Sequence, residues 1–456
     1  MKNSFAPVNR IPPEVLSSIP DYYYDDGYDT DQELITLTHI CHSWRDTFIS
    51  RSSLWTKLDL TNVEKTHTYI QRSKSYPLKV YLERDEDNTC FDETFFLVTP
   101  HIHRIKSLTV YGDAPALDIA FLNGDLSSLC ELSLSRVITH LPWKNLANLT
   151  TFILKSCRPR RDFVTRLLDF FENAPLLHTI MLEDSIPDLS NAPPGRVVPL
   201  PRLDRLTIKR GPARPILLNH LCIPIGVSLD LRFIFNSEGS TFQECLPETF
   251  ANLRNLSHIT TINLHFDTRQ SVRMNGPSGE LYVYALNGST PTFAMDSRLL
   301  HSLDSSILLM THRLAVSMYD HPGLAEVEKC PVFHTLSSMD SLRTLVLNKC
   351  HNLPFILALN PKENSSKLVA CPNLEKLIVY IHFHYQFHAE SLVSMAKERA
   401  LRDAKLSLVR IVYPGKFMLE KEWLGLCEYV MHAEWRSEHT APLWDDLPGE
   451  SSDESE

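Results

Sequence analysis

The stretches LCELSL at residues 129–134, LHTIML at 177–182 and LEKLIV at 374–379 share one pattern, with aliphatic residues at the first, fourth and sixth positions. With Ile, Val or Phe also allowed, the pattern begins at residues 105, 129, 149, 177, 203, 259, 342, 374 and 406. Chance alone gives about ten such matches in a chain this rich in aliphatic residues, so the count by itself shows little.

The spacing of these matches is more informative than their number. Successive starts lie 24, 20, 28, 26, 56, 83, 32 and 32 residues apart, and 56 is twice 28. A weaker unit, residues 227–231, falls inside the first long gap, and a proline precedes the first leucine by two residues at 177, 203 and 374. This period predicts stacked repeats, each supplying one short strand and one helix or irregular return.

Two further features support the repeat hypothesis. Cys157 and Cys350 each stand eight residues after the first aliphatic residue of their unit, where a buried polar side chain can satisfy the backbone of a turn. One return, residues 162–171, has the apolar periodicity of a helix and ends before Pro175.

The first sixty residues have a different, helical pattern. Pro12 and Pro13 favour the start of a short helix, which Pro20 ends. After a capping-box sequence at residues 30–33, five apolar residues follow at steps of three or four and predict one amphipathic helix. These residues are Leu34, Leu37, Cys41, Trp44 and Phe48.

The segments IPPEVL (11–16), ICHSWR (40–45) and SLW (53–55) resemble the F-box of fungal F-box proteins, and the body resembles the leucine-rich-repeat domains found in F-box proteins. The resemblance implies a three-helix segment that binds the Skp adaptor of SCF-type ubiquitin ligases and, through it, the cullin scaffold. It assigns adaptor binding to Pro12, Glu14, Leu16, Ile19, Leu34, Leu37, Ile40, Cys41, Trp44, Leu54 and Trp55. Alternatively, Trp44 and Trp55 serve the segment's own core. Pro20 and the acidic insert at residues 22–31 depart from the family pattern.

The expected fold class is therefore α/β: a short N-terminal three-helix F-box followed by an irregular leucine-rich-repeat solenoid. The predicted domains are residues 1–57, the F-box-like segment; 58–433, the repeats; and 434–456, an acidic disordered tail. Residues 267–335 fit the repeat least and are a candidate insertion, with a turn at residues 276–279 and a tyrosine-rich strand at 280–286. The competing fold is an irregular α/β domain with a central sheet.

Composition excludes several function classes. The net charge of −10 argues against general nucleic-acid binding, and no apolar run is long enough to predict a membrane span. Ten cysteines without a CxxC motif do not suggest a disulfide framework. The start of the chain lacks an apolar signal-like region, so we expect a reduced intracellular compartment, cytoplasm or nucleus.

No sequence motif indicates catalysis, a cofactor or a metal. GxSxG, GxxxxGK[ST] and GxGxxG are all missing. The pairs His382/His384 and His101/His103 would share a face in a strand, but no further ligand accompanies them. We therefore expect a non-catalytic adaptor that holds an unknown protein substrate. The alternatives are a non-ligase repeat scaffold whose degenerate F-box is only a cap, and a hydrolase without a recognisable motif.

Overall fold

The computed structural model describes residues 11–18, 30–60, 62–84, 91–112, 125–137, 146–157, 163–185, 195–211, 216–235, 252–266, 269–287, 305–318, 336–348, 352–361, 369–381, 387–413 and 420–437. The chain divides into two compact units, Met1–Pro194 and Gly195–Glu456, here called unit 1 and unit 2. The boundary that the sequence predicted at residue 57 coincides with the start of the first strand and stays a prediction.

Unit 1 begins with helices and continues with strands. Its helices are α1 (Pro13–Ser18), α2 (Thr30–Thr38), α3 (His42–Ser50), α4 (Val63–Ser73), α5 (Phe91–Val98) and α6 (Phe163–Glu172), with 3₁₀ helices at Ser52–Trp55 and Thr99–Arg104. Its strands are β1 (Lys57–Asp59), β2 (Leu78–Arg84), β3 (Ile105–Gly112), β4 (Glu131–Ser135), β5 (Thr151–Lys155) and β6 (Thr179–Glu183). The helix predicted at residues 162–171 is confirmed as α6.

The single helix predicted over Leu34–Phe48 is wrong, because the chain breaks between α2 and α3. Cys41 is fully extended there, with φ −160° and ψ 171°. Two side chains donate hydrogen bonds to backbone carbonyls at the break. The Thr38 hydroxyl donates to the carbonyl of Ile35 at 2.7 Å, and Arg45 Nε donates to the carbonyl of Thr38 at 3.0 Å. Such side-chain bonds compete with the helical ladder, which apolar periodicity alone does not register.

The six strands of unit 1 run parallel in chain order, β1 to β6. Residues that face the helices are buried and alternate with residues on the opposite face, called here the outer face. Phe152 of β5 packs against α6, with ring centroids 4.3 Å from Phe170 and 6.3 Å from Phe171. This aromatic cluster joins strand to helix in the middle of unit 1.

Three successive strands of unit 1 end in the same way. Each is followed by a residue with left-handed backbone (φ 48° to 55°) and then by a buried residue, in the pairs Arg136–Val137, Ser156–Cys157 and Asp184–Ser185. Cys157 donates Sγ to the carbonyl of Leu134 at 3.4 Å, so its predicted role in satisfying turn backbone is confirmed. Ser185 Oγ accepts the Cys157 amide at 2.9 Å and donates to the carbonyl of Glu183 at 2.7 Å. Cys350 lies outside the described residues.

Unit 2 contains more strands. They are β7 (Val198–Pro199), β8 (Arg205–Gly211), β9 (Leu221–Cys222), β10 (Ser228–Phe235), β11 (Thr261–Phe266), β12 (Arg269–Gly276), β13 (Gly279–Asn287), β14 (Arg313–Met318), β15 (Thr344–Asn348), β16 (Lys376–Tyr380), β17 (Leu408–Tyr413) and β18 (His432–Ser437). Its helices are α7 (Ile216–Asn219), α8 (Ser305–Met310), α9 (Leu353–Leu359), α10 (Ala389–Ala400) and α11 (Glu420–Tyr429), with a 3₁₀ helix at Arg254–Leu256.

Ten strands of unit 2 are ordered β8-β10-β13-β12-β11-β14-β15-β16-β17-β18, and β7 pairs with β9 separately. Only β12 is antiparallel to its neighbours, because β12 and β13 form a hairpin that fills the gap between β10 and β11. The predicted tyrosine-rich strand is confirmed as β13. Both glycines at the turn are required: a Cβ on Gly276 would lie 2.0 Å from the His258 carbonyl oxygen, and Gly279 has φ +138°.

The predicted insertion at 267–335 thus supplies β12 and β13, and also β14, which pairs in parallel with β11 and β15. The predicted weak unit at 227–231 is confirmed as the start of β10. β18 extends to Ser437, into the predicted tail, and residues 438–456 lie outside the described part of the chain.

One backbone arrangement recurs in both units. The carbonyl of Cys130 accepts the amides of Thr150 and Thr151, at 2.8 and 3.0 Å. The same fork occurs at the carbonyls of Thr150, Thr260, His312, Arg343 and Glu375. All nine predicted repeat starts are buried: Ile105, Leu129, Leu149, Leu177, Leu203, Ile259, Leu342, Leu374 and Leu406. The repeat pattern read from the sequence therefore marks true structural repeats.

Unit 2 also contains a buried cation that the sequence did not reveal. Arg399 of α10 is fully buried and donates to the carbonyls of Ala370 and Cys371, at 2.7 and 2.9 Å. Burial lowers the pKa of Arg399 to about 10 and raises the pKa of the Cys371 thiol to about 12. Arg399 thus fixes the turn before β16, where Cys371 has φ 48° and donates Sγ to the carbonyl of Leu336 at 3.0 Å.

Candidate functional site

The N-terminal helices pack around a core of their own. Leu16, Leu34, Trp44 and Phe48 are buried, and the rings of Trp44 and Phe48 meet edge to face at 5.6 Å. Close packing of these buried side chains fixes the positions of the three helices. The side chains that remain outside therefore form a defined surface.

Trp55 connects this segment to the first repeat. It is buried and donates Nε1 to the carbonyl of Phe48 at 3.0 Å. On its other side it meets α4, where the Tyr69 ring lies edge to face at 5.0 Å and the Arg72 guanidinium lies 4.3 Å from the indole centroid. Trp55 therefore contacts the segment and the repeat body at once.

Two apolar residues of the segment are exposed to solvent instead. Val15 of α1 is 54% exposed and Ile40, at the break between α2 and α3, is 46% exposed. Pro12 and Glu14 are exposed near Val15 in sequence, and Leu37 and Cys41 flanking Ile40 are half-buried. Among the described side chains of the segment, Val15 and Ile40 are the large apolar ones that are exposed.

The predicted adaptor-binding residues therefore separate into two groups. Pro12, Glu14, Leu37, Ile40 and Cys41 are wholly or partly accessible. The interior holds Leu16, Leu34, Trp44, Leu54 and Trp55. Ile19 lies outside the described residues. The sequence pattern did not single out Val15, because the apolar side of α1 was assigned to Pro12, Leu16 and Ile19. The available signal was that Val15 and Leu16 are adjacent apolar residues, which cannot share one face of a helix.

The outer face of unit 2 is a second candidate surface. The strand registers place eight basic residues on it, counting described side chains of β8 and β10–β18: Arg205, Lys209, Arg232, Arg273, Arg313, Lys376, Arg410 and Arg436. Three acidic residues share the face: Asp230, Glu280 and Glu434. This surface is basic although the whole chain carries a net charge of −10.

Around the hairpin, arginines and tyrosines of the outer face contact each other. Arg232 Nε lies 3.1 Å from Asp230 Oδ1, and the Arg232 guanidinium lies 5.9 Å from the Tyr282 ring centroid. The rings of Tyr282 and Tyr284 stack at 6.3 Å. Hydrogen bonding to Asp230 raises the pKa of Arg232, and burial raises the pKa of Tyr282. Arg232 therefore stays charged and Tyr282 stays protonated at neutral pH.

The side chains in the middle of the outer face are buried. Ala315, Val346 and Ile378, on β14 to β16, are 2%, 4% and 7% exposed, and Tyr380 packs against them. The accessible side chains of this face therefore lie beside the buried part, at the hairpin and at β17 and β18. At β17 and β18, Arg410 and Arg436 lie 2.9 and 3.3 Å from Glu434, and the bond from Arg410 lowers the pKa of that carboxyl.

Nothing in the described part of the chain indicates a reactive centre. No group of three or more His, Cys, Asp or Glu side chains in it is arranged to hold a metal. His101 and His103 lie on a 3₁₀ helix rather than on the strand that the zinc hypothesis assumed, while His382 and His384 lie outside the described residues. Burial raises the pKa values of Cys157 and Cys371, which keeps both thiols protonated and weakly nucleophilic.

Among the helices that the structure describes, none combines the length and the apolar character needed to cross a lipid bilayer.

The recurring strands, forked hydrogen bonds and buried turn positions define the architecture. Both units have a mixed α/β architecture in which parallel strands alternate with helical or irregular returns. No family model and no curated protein matches the chain. Among solved structures, the chain is weakly similar to an internalin from Listeria monocytogenes, a leucine-rich-repeat protein, with 14% identity, a TM-score of 0.28, 74% of this chain covered and 88% of that chain.

Proposed function

We propose that this chain is a non-catalytic substrate receptor of an SCF-type ubiquitin ligase. The N-terminal segment would bind the Skp adaptor, and through it the cullin scaffold, while the repeats hold a protein substrate. The observation that supports the proposal is the exposure of two apolar side chains, Val15 and Ile40, on a helical segment that has a buried core of its own. Exposed apolar side chains on a small, well-packed element are typical of protein-binding surfaces.

In this role the chain makes and breaks no bond. It raises the local concentration of a substrate lysine near the ubiquitin-carrying enzyme, which speeds transfer through proximity. The proposal places the chain inside the cell, in the cytoplasm or nucleus, where the adaptor and cullin act. It includes no nucleic-acid partner, membrane or cofactor.

The test is a pulldown of the full chain with the Skp adaptor, comparing wild type with the double variant Val15→Asp/Ile40→Asp. Because both side chains are exposed, charge there disrupts a partner interface and leaves the core intact. The matched control is Phe96→Asp on α5, whose side chain is 74% exposed. We expect binding by wild type and control and none by the double variant. Absent binding by wild type, or equal binding by all three, contradicts the receptor role.

A second candidate function is a repeat scaffold in which the N-terminal segment only caps the first repeat. The contacts of Trp55 with Tyr69 and Arg72 favour it, because terminal repeats need a covered apolar end.

Native-state hydrogen exchange of Trp44→Ala separates the two candidates. This change costs about 4 kcal/mol, because it leaves a cavity in the core of the N-terminal segment. If the segment is an independent docking element, protection falls in α1–α3 and stays unchanged in β2–β5. If the segment is a cap, protection of β2 and β3 falls with it.

A further inference from the structure

The outer face of unit 2 differs from the rest of the chain in charge. The hairpin end, meaning β8, β10, β13 and β12, carries Arg205, Lys209, Arg232 and Arg273 against Asp230 and Glu280. A surface of opposite sign to the whole molecule attracts partners that the remainder repels, and this gives selectivity for partners of one charge.

The hairpin end also has the residues on which protein interfaces depend most. Tyr282 and Tyr284 stack at 6.3 Å and are half-buried, so little side-chain freedom is lost when a partner covers them. Tyrosine and arginine are the residue types enriched among dominant interface contacts. Half of the Arg232 side chain stays exposed (49%), which leaves guanidinium donors for a partner.

We propose that the hairpin end is the partner-binding surface of unit 2 and that it binds an acidic segment of a protein. Carboxylates of the partner would pair with Arg232 and Arg273, and an extended backbone or apolar side chain would lie over the two tyrosines. The inference rests on the proposed role as a protein-binding receptor, whose substrate class it names.

The charge arrangement favours a protein over a nucleic acid. Asp230 and Glu280 lie among the basic residues and contact them, Asp230 at 3.1 Å from Arg232 and Glu280 at 3.7 Å from Arg273. A nucleic acid presents closely and evenly spaced phosphates, which these carboxylates repel. A protein segment can place its acidic residues between them.

The experiment measures binding of the full chain to labelled poly-L-glutamate at low and moderate salt, with single-stranded oligo-dT as the competing class. The test variant is Arg232→Gln/Arg273→Gln. The matched control is Lys79→Gln/Lys155→Gln, which removes the same charge from the outer face of unit 1. We expect the arginine variant to lose about tenfold in affinity and the lysine control to change less than about twofold.

Three outcomes overturn the proposal: no binding of poly-L-glutamate by wild type at low salt, equal loss in both variants, or tighter binding of oligo-dT. Thermal unfolding of each variant shows whether it is folded. The Skp pulldown of the arginine variant keeps the two proposals distinguishable. Intact adaptor binding with lost poly-L-glutamate binding in the arginine variant supports the present inference. Absent adaptor binding by wild type, with its poly-L-glutamate binding intact, counts against the docking role alone.

Discussion

Unit 1 and unit 2 share the strand-and-return repeat, yet they differ in what they place on the outer face. In unit 1 the described outer-face residues include three lysines against four acidic residues: Lys57, Lys79 and Lys155 against Asp59, Glu83, Glu131 and Glu183. In unit 2 eight basic residues face three acidic ones. The repeat fixes which face a side chain lies on, whereas the residue type at that position can differ between the units.

The interiors differ as well. Unit 1 joins strand to helix with the apolar cluster of Phe152, Phe170 and Phe171, whereas unit 2 uses the buried guanidinium of Arg399 to hold a turn. An apolar cluster tolerates changes of similar volume, but a buried charge demands specific partners. The two units should therefore respond differently to substitution.

Removal of the aromatic cluster should have the largest effect. Phe152→Ala leaves a cavity between β5 and α6 and is expected to cost about 4 kcal/mol of unfolding free energy. Urea denaturation measures the loss, and hydrogen exchange should locate it in unit 1. Ile153→Ala, on the outer face of the same strand, is the control and should cost less than about 1 kcal/mol. Equal losses would mean that the cluster has no special role.

Arg399→Ala should come next, at about 3 kcal/mol, because it leaves two buried carbonyls without donors as well as a cavity. The loss should appear in unit 2, around β16 and α10. Arg399→Lys should recover only part of it, since one ammonium group does not reproduce the guanidinium fork. The exposed neighbour Lys397→Ala serves as the control. Full recovery by lysine would show that charge alone is needed.

Ser185→Ala tests the turn position of unit 1 and should cost about 1.5 kcal/mol. The buried amide of Cys157 loses the hydroxyl that accepts it at 2.9 Å. Thermal unfolding measures the effect against Ser135→Ala on the outer face. An unchanged midpoint for Ser185→Ala would mean that another group satisfies this amide.

The smallest effect belongs to the exposed ion pairs of β17 and β18. Glu434→Gln should cost about 0.5 kcal/mol at neutral pH and low salt, and less at high salt. The bond with Arg410 lowers the pKa of Glu434 below its ordinary value of 4.5. The unfolded chain therefore binds a proton first as pH falls, so the stabilisation is present above about pH 4.5 and is lost as pH drops through the lowered pKa. A difference between wild type and variant that grows in acid would contradict this assignment.

Periodicity predicted the strands well, because all nine aliphatic starts are buried where the repeat requires them. It did not predict β14. It also did not predict that the hairpin lies between β10 and β11 with β13 next to β10, because strand order depends on contacts between distant residues. It also missed the break after Thr38, which side-chain hydrogen bonds create. At the candidate docking segment, apolar spacing found the stripe but did not separate its buried residues from its exposed ones. Arg399 left no local signal, because its partners lie about thirty residues away in the chain.

The β12–β13 hairpin has a consequence for how unit 2 folds. Its strands meet across Pro277 and Ser278, so their pairing closes a two-residue loop within microseconds, whereas parallel neighbours must wait for closure of long chain segments. Once the hairpin has formed, its two edges expose backbone amides and carbonyls. The β13 edge pairs with β10, and the β12 edge pairs with β11. We therefore expect the hairpin to form early in the folding of unit 2, with assembly spreading from both of its edges.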